Sequence, residues 1–305
     1  MNLDFNEIKV LVIGDFMIDY YFMGQSKRMS PEAPVPVIIK NEEYFSPGGA
    51  GNVAINLSSM GANVTCAGVV GNDKWGNELL NELKINKINT DNIEIIDNHI
   101  TTFKKRIYSN GKQLARIDKE AYLEWSIKKN FNYESYDVVV ISDYNKGVIN
   151  KININANLII VDPKKEDFSL YKNAKIITPN LKELELASKN KIQNNESIID
   201  SCNELIQKNN FDYIVAKKGS DGMTIVGKDN FFKHIPAHFV EDPDVTGAGD
   251  TVIAVLSIAY AKTNDIEISA KIANMAAAIS VSKPGTANVT VSDLMKYDEK
   301  SKLFI

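Results

Sequence analysis

Residues 244–251 read Asp-Val-Thr-Gly-Ala-Gly-Asp-Thr, and an apolar run from Val252 to Ala261 follows at once. Gly247, Ala248 and Gly249 let the backbone turn tightly and come close to a ligand. The run after them is long enough for a buried helix. A glycine turn feeding a helix start is an anion site, because free N–H groups and the helix dipole both point at the ligand. Asp250 lies inside that site. A carboxylate facing a phosphate is repelled unless it takes a proton from the group the phosphate will join. The pattern points to phosphoryl transfer to a hydroxyl, with Asp250 as base. Read alone, an Asp here also suits an ordinary helix start, so the rest of the chain must decide.

Other constellations bear on the same chemistry. Gly14-Asp15 with Asp19 follows a short apolar run, where carboxylates suit sugar hydroxyls or simple turn chemistry. Pro47-Gly48-Gly49-Ala50-Gly51-Asn52 opens a helix and is more elaborate than a cap requires; Asn52 offers both a donor and an acceptor. Asn180-x-x-Glu183 reads first as a capping box. In a kinase the same pair suits the water shell of Mg²⁺ near phosphates. Ser142–Gly147 and Asp162-Pro163-Lys164 end apolar runs, and their spacing alone assigns them no role. Lys217-Lys218-Gly219 ends another such run and suits either nucleotide phosphates or a solvated turn. The three histidines (His99, His234, His238) form neither a zinc pattern nor a triad. Only three of the 35 basic residues are arginine: Arg28, Arg106 and Arg116. A chain that uses Lys for plain charge and keeps Arg at three places marks those places for two-bonded grip of phosphate or carboxylate.

The elements that must position these residues follow from hydrophobic patterning. Val10–Ile13, Val64–Val70, Val138–Ile141, Leu158–Val161 and Tyr213–Ala216 read as buried parallel strands. Helical patterns lie between them, over Asn52–Met60, Asn77–Leu83 and Glu196–Lys208. Alternation of this kind predicts a three-layer α/β/α domain with a mostly parallel sheet and ligands at the strands' carboxyl ends. Two segments break the rhythm. Residues 20–42 are extended and punctuated by Pro31, Pro34 and Pro36, and residues 100–118 hold Asn110-Gly111 between β-prone runs, a hairpin signal. Together they predict a small separate sheet, inserted as a lid over the site and carrying all three arginines. One domain over 1–305 is expected, and the exposed edges of such a sheet predict a homodimer through the lid.

The 305 residues, 44% hydrophobic and 24% charged, are ordinary for a soluble protein. A net charge of −4 gives no reason to expect nucleic acid or an anionic membrane as partner. No apolar run approaches about 18 residues, and the acidic start lacks a signal-peptide pattern. Cys66 and Cys202 read as unpaired thiols. A cytoplasmic protein is expected.

Taken with their order and separation, Gly48–Gly76 (Gly-Gly-Ala-Gly-Asn-Val-Ala through Gly71-Asn72-Asp73) and Asp244–Thr251 make the chain resemble the ribokinase/PfkB family of sugar kinases over essentially its whole length. Arg28–Val37, Ser142–Gly147, Ile235–His238 and Asp244–Ala254 look like the branch that phosphorylates D-glycero-β-D-manno-heptose 7-phosphate for ADP-heptose and lipopolysaccharide synthesis. Many members of that branch are fused to a nucleotidyltransferase with a His-x-Gly-His motif. No such motif occurs here, so the chain reads as a stand-alone kinase or the kinase portion of a longer one.

The resemblance implies a ribokinase-like fold. It implies Asp250 as base and Gly247, Ala248 and Gly249 as anion hole. It implies ATP with Mg²⁺ at Asn180 and Glu183, sugar at Asp15, Gly49 and Asn52, and a monovalent cation such as K⁺ at Asp244 and Thr246. Arg106 and Arg116 then fit the substrate's existing phosphate, an inference from arginine scarcity. Lys217-Lys218-Gly219 departs from the arginine-containing turn common in relatives, and Lys218 and Gly219 are assigned to nucleotide by position. The rival expectations are another kinase of the family, acting on ribose, fructose, a fructose phosphate or a nucleoside, and a non-catalytic sensor. A dehydrogenase is disfavoured, since no Gly-x-Gly-x-x-Gly follows the first strand.

Overall fold

The computed structural model describes residues 3–127, 131–149 and 154–301. In chain order its strands are β1 (Lys9–Gly14), β2 (Phe16–Met29), β3 (Pro36–Gly49), β4 (Asn63–Gly71), β5 (Asn89–Ile96), β6 (Thr102–Ser109), β7 (Lys112–Lys119), β8 (Val138–Ser142), β9 (Ile159–Asp162), β10 (Ile176–Ile177), β11 (Tyr213–Lys217), β12 (Met223–Gly227) and β13 (Phe232–Ile235). The helices are α1 (Ala50–Ser59), α2 (Lys74–Ile85), α3 (Leu181–Ser188), α4 (Asn195–Asn209), α5 (Ala248–Thr263), α6 (Ile266–Val281) and α7 (Val291–Ser301).

Among the described residues nine strands form one sheet in the order β13-β12-β11-β10-β9-β8-β1-β4-β5. Pairing is parallel from β5 to β11 and antiparallel for β11–β12–β13. Side chains alternate along each strand. Val10 and Val12 enter a core shared with α1, α2, α5 and α6, whereas Leu11 and Ile13 enter a second core shared with α3 and α4. Both faces are therefore covered, and this is why the strands read as unbroken apolar runs. The expected three-layer arrangement is present.

Strand order reverses at β1. The chain next joins the large sheet at β4 on one side and comes back at β8 on the other. A crevice opens at the carboxyl ends of such a pair, and here those ends are Asp15 and Asp143.

Four strands, β3-β2-β6-β7, make the small sheet. It reaches beyond the expected bounds of 20–42, to Phe16 and Gly49, because β2 begins one residue after β1 and β3 runs straight into α1. Asn110 (φ 51°) and Gly111 (φ 79°) form the predicted hairpin turn. One face packs Tyr20, Phe45 and Phe103 around Trp75 of α2, with ring centroids 4.7–5.8 Å from the indole. Asp19, Tyr21, Lys104 and Arg106 alternate with those residues and so share the opposite face.

Helix α5 is buried from Asp250 to Tyr260. Each enclosed Val, Ile or Leu contributes about 1.5–3 kcal/mol, so the helix that carries Asp250 is held by packing on all sides. Cys66 and Cys202 are buried and unpaired. Among the described residues no helix is long and apolar enough to cross a membrane.

Candidate active site

Gly247 caps α5 in the left-handed region (φ 76°), and no side chain caps that helix start. A Cβ at Gly247 would stand 2.6 Å from Asn52 Nδ2, so close approach as well as φ requires glycine. Residues 247–249 are partly exposed, whereas Asp250, one residue on, is 5% exposed. An accessible turn of N–H groups thus borders an enclosed carboxylate.

Both Asp250 oxygens accept hydrogen bonds. Asn52 Nδ2 of α1 donates to Oδ2 (2.8 Å), and the Tyr144 hydroxyl donates to Oδ1 (2.8 Å). Asn56, one turn below Asn52, donates from Nδ2 to Asn52 Oδ1 (3.2 Å), which fixes the way the amide faces. Burial raises the Asp250 carboxyl to about 6; the Asp162 charge adds to the rise, and the two donors and the Lys164 ammonium oppose it. A carboxylate of that proton affinity is ionised at neutral pH yet able to take a proton.

Beside it lies a charge cluster on the α5 side of the sheet. Asp162 accepts from Lys164 (2.8 Å), from Lys217 and from the Thr178 hydroxyl (3.0 Å). Lys164 also pairs with Glu183 (2.9 Å). Burial would raise Asp162, but the Lys164 and Lys217 ammoniums hold it down at about 2. Lys217 Nζ stands 3.4 Å from where a Gly249 Cβ would be, which sets its charge against the glycine turn.

The predicted residues divide into those bonded to one another and those held elsewhere. Asp250 and Asn52 are bonded, with Gly247 against them. Gly49 (φ 57°) caps α1, and a Cβ there would press on the Asp15 carbonyl (2.6 Å) and the Tyr144 ring (3.4 Å). The Asp15 carboxylate accepts the amides of Tyr144 (2.7 Å), Lys146 (3.1 Å) and Val148 (3.4 Å), and so holds the loop after β8. Burial, then the nearby Asp143 charge, raises it to about 6. Asp19 pairs with Arg106 (2.5 Å), whose guanidinium stacks on Tyr21. Arg116 is the cross-strand neighbour of Arg106, but its side chain is 51% exposed and pairs with Asp118 (2.9 Å). Arg28 is exposed.

Asn180 and Glu183 form the capping box, with reciprocal bonds of 2.9 and 2.8 Å. Asp244 accepts the amides of Thr246 (3.0 Å) and Gly285 (2.7 Å), which joins the loop before α5 to the loop after α6. Lys218 bonds Asn195 (3.0 Å), and Gly219 has nothing near its absent side chain.

Tyr144, Asp143, Asp162, Lys164 and Asn56 were given no role from sequence, and for Lys217 nucleotide phosphates and a solvated turn stood as alternatives. Strand alternation was the available signal for Lys217, since Val215, two residues earlier, faces the α5 core. Helical spacing of four from Asn52 was the signal for Asn56.

A nine-stranded α/β sheet with a glycine-turned helix start at its switch point defines a sugar-kinase type of fold. Solved ribokinases share it: that of Thermotoga maritima superposes with a TM-score of 0.77 at 19% identity over 96% of this chain and 99% of its own. Arabidopsis thaliana ribokinase, solved with ribose and ATP, gives 0.76 at 17% identity over 95% and 98%. The model of the pfkB family carbohydrate kinases matches residues 7–293, and the chain belongs to that family; it is an ATP-dependent carbohydrate kinase. The bifunctional protein HldE of Sulfurimonas denitrificans is 39% identical over 307 residues, and that of Helicobacter acinonychis 37% over 303. These alignments take in 95% and 94% of this chain but 64% and 65% of those proteins, so the chain spans just under two-thirds of their length.

Proposed function

We propose that the protein transfers the γ-phosphoryl group of ATP to the anomeric hydroxyl of D-glycero-β-D-manno-heptose 7-phosphate, giving the 1,7-bisphosphate used in ADP-heptose synthesis for lipopolysaccharide core. The observation that carries the chemistry is the buried, doubly bonded Asp250 beside the uncapped turn at 247–249. Support for the sugar comes from the resemblance of Arg28–Val37 and Ser142–Gly147 to heptose phosphate kinases and from the HldE relatives.

In this reading the sugar hydroxyl loses its proton to Asp250 while its oxygen forms a bond to the γ-phosphorus. The bond from that phosphorus to the bridging oxygen breaks, and ADP leaves. The N–H groups of the turn stabilise charge on the transferring oxygens; losing one such donor typically costs about 2.7–4 kcal/mol of barrier. Lys164 and Lys217 bring positive charge to the same end, and Arg106 takes the 7-phosphate.

Glu183 accepts from Asn180 and pairs with the Lys164 ammonium, and that positive charge opposes direct ligation of a metal there. Mg²⁺ carried in by the nucleotide and met through water by Asn180 and Glu183 does fit, and it would offset charge on the phosphates. Asp244 and Thr246 would hold a monovalent cation. Activity that rises with KCl over an equal concentration of choline chloride supports that assignment, and equal rates oppose it.

The decisive test is ADP release with a panel of heptose 7-phosphate, ribose, fructose, fructose 6-phosphate and a nucleoside. The heptose phosphate is expected to give the highest kcat/KM. A faster rival sugar replaces the substrate assignment, and the absence of ATP consumption with every sugar points to the sensor reading. The small sheet's exposed Ile39, Leu114 and Ile117 suit a homodimer formed through it; light scattering that finds a monomer at micromolar concentration removes that element.

A further inference from the structure

We infer that Tyr144 is a positioning residue for phosphoryl transfer: its phenol holds the Asp250 carboxylate in one rotation against the incoming sugar hydroxyl. The inference rests on the reading of Asp250 as base. A carboxylate with a single side-chain donor still turns about its Cβ–Cγ bond. Asp250 has two, Asn52 from α1 and Tyr144 from the loop after β8, one on each oxygen. Each donor also favours the ionised form.

Much of the surrounding structure serves to place this one side chain. The Tyr144 amide donates to Asp15 (2.7 Å). Asp143, the preceding residue, is fully buried and takes the Tyr171 hydroxyl (2.7 Å) and the Asn145 amide (2.7 Å), with the Lys165 ammonium 3.6 Å away. Asn145, the following residue, stands in the left-handed region (φ 58°). Such a backbone costs energy for a residue other than glycine, and here buried carboxylates on both sides maintain it. The ring lies against Gly49 and beneath two ammoniums, Lys104 of β6 at 5.2 Å and Lys164 after β9 at 5.3 Å from its centroid. Cations over a phenol draw charge from the ring and strengthen the hydroxyl as a donor.

A ring that only filled space would need neither the oxygen nor this clamp. The charged groups facing the pair are Asp162 and Lys164 from β9 and its loop, Asp19 from β2 and Lys104 from β6. All of these remain in the variant below.

Tyr144→Phe keeps the ring, its cation contacts and its packing, and removes one oxygen. With ATP and heptose 7-phosphate, or the best acceptor of the panel, kcat is expected to fall about tenfold or more with little change in either KM. The acid limb of the kcat profile is expected to move up by about one pH unit, because the carboxylate loses a donor to its charged form. In an Asp250→Asn background the same substitution is expected to change the residual rate little. An unmoved limb with kcat within about twofold of wild type overturns the inference, as does an equal loss of rate in both backgrounds. Near wild-type turnover in Asp250→Asn itself instead removes the base reading beneath it. Should the Phe variant melt at assay temperature, 3-fluorotyrosine incorporated at position 144, a stronger donor, is expected to move the limb to lower pH. An unmoved limb there also overturns the inference.

Discussion

The strand ends and the small sheet handle polar side chains in opposite ways. Asp15, Asp143 and Asp162 at the strand ends and Asp250 at the start of α5 are buried, and each is bonded to groups from a neighbouring element. On the small sheet β7 is exposed at every residue, and its Arg116 pairs with Asp118 of the same strand. Enclosed, already bonded groups suit a step in which charge moves, because nothing has to reorganise as the proton transfers. Exposed groups on an edge suit recognition of an acceptor that must enter and leave. Arg106 stands between the two regimes. It belongs to β6, yet its side chain is only 12% exposed through its bond to Asp19.

The largest expected effect removes the base from the buried region. Asp250→Asn should lower kcat by roughly 10²–10⁴-fold while ATP binding persists. It should also melt no lower than wild type at pH 7.5, because it removes a charge that burial already disfavours. Steady-state kinetics and a thermal melt on one preparation read both. A variant that loses activity together with its fold would show only that Asp250 is structural, and near wild-type turnover would remove the base assignment.

Next comes the residue between the regimes. Arg106→Lys keeps a charge but loses the planar fork and the stacking on Tyr21. A hydrogen bond to a charged group contributes about 1.5–3 kcal/mol, so the KM for the sugar phosphate should rise by about ten- to a hundredfold. The KM for ATP should stay within about twofold, as in an intact nucleotide site. Equal rises in both would mean that Arg106 supports the fold rather than the acceptor.

The same contrast accounts for what the sequence made legible. Buried parallel strands announce themselves because both faces are apolar, so five of the nine large-sheet strands could be read to within a residue or two. The exceptions are instructive. β10 has only two residues, and β12 and β13 meet through Asp229 and Asn230, both at positive φ with no glycine to mark the turn. Within the site, Gly247 and Asp250 could be picked out as candidates because the glycine turn, the carboxylate and the apolar run are contiguous in the chain, although alone they also suit an ordinary helix start. Tyr144 and Asp162 were not readable in the same way. They reach Asp250 and Lys217 across 106 and 55 residues of chain, and only the parallel register of β8, β9 and β11 makes them neighbours. Capping by Asn180 and Glu183 was readable because it is local.

pH should separate stability from activity. Asp15 and Asp250 titrate near 6 in the fold, above the ordinary 3.8. Groups raised in this way stabilise the fold fully below the ordinary value and lose that contribution as pH rises through 6. Asp162, held at about 2, does the reverse: its contribution is present above 3.8 and lost as pH falls through 2. On going from about pH 8 to about pH 5 the melting temperature should therefore rise by a few degrees while kcat falls, and only below about pH 4 should stability decline. Melting temperature and kcat falling together from pH 8 to pH 5 would show that neither buried carboxylate governs stability in that range.

The smallest effect is expected at Arg116, where the contrast is sharpest because it faces Arg106 directly across the β6–β7 pair. An exposed pair such as Arg116 with Asp118 is worth about 0.2–1 kcal/mol and is screened by salt. If Arg116 touches the acceptor's phosphate at all, it does so from solvent. Arg116→Lys should therefore change the sugar-phosphate KM by no more than about threefold, and 0.5 M NaCl should erase even that difference. A large, salt-resistant rise at Arg116 would mean that the edge strand folds down over bound substrate. The small sheet would then close on its acceptor as a lid, and the exposed arrangement of β7 would be its open form.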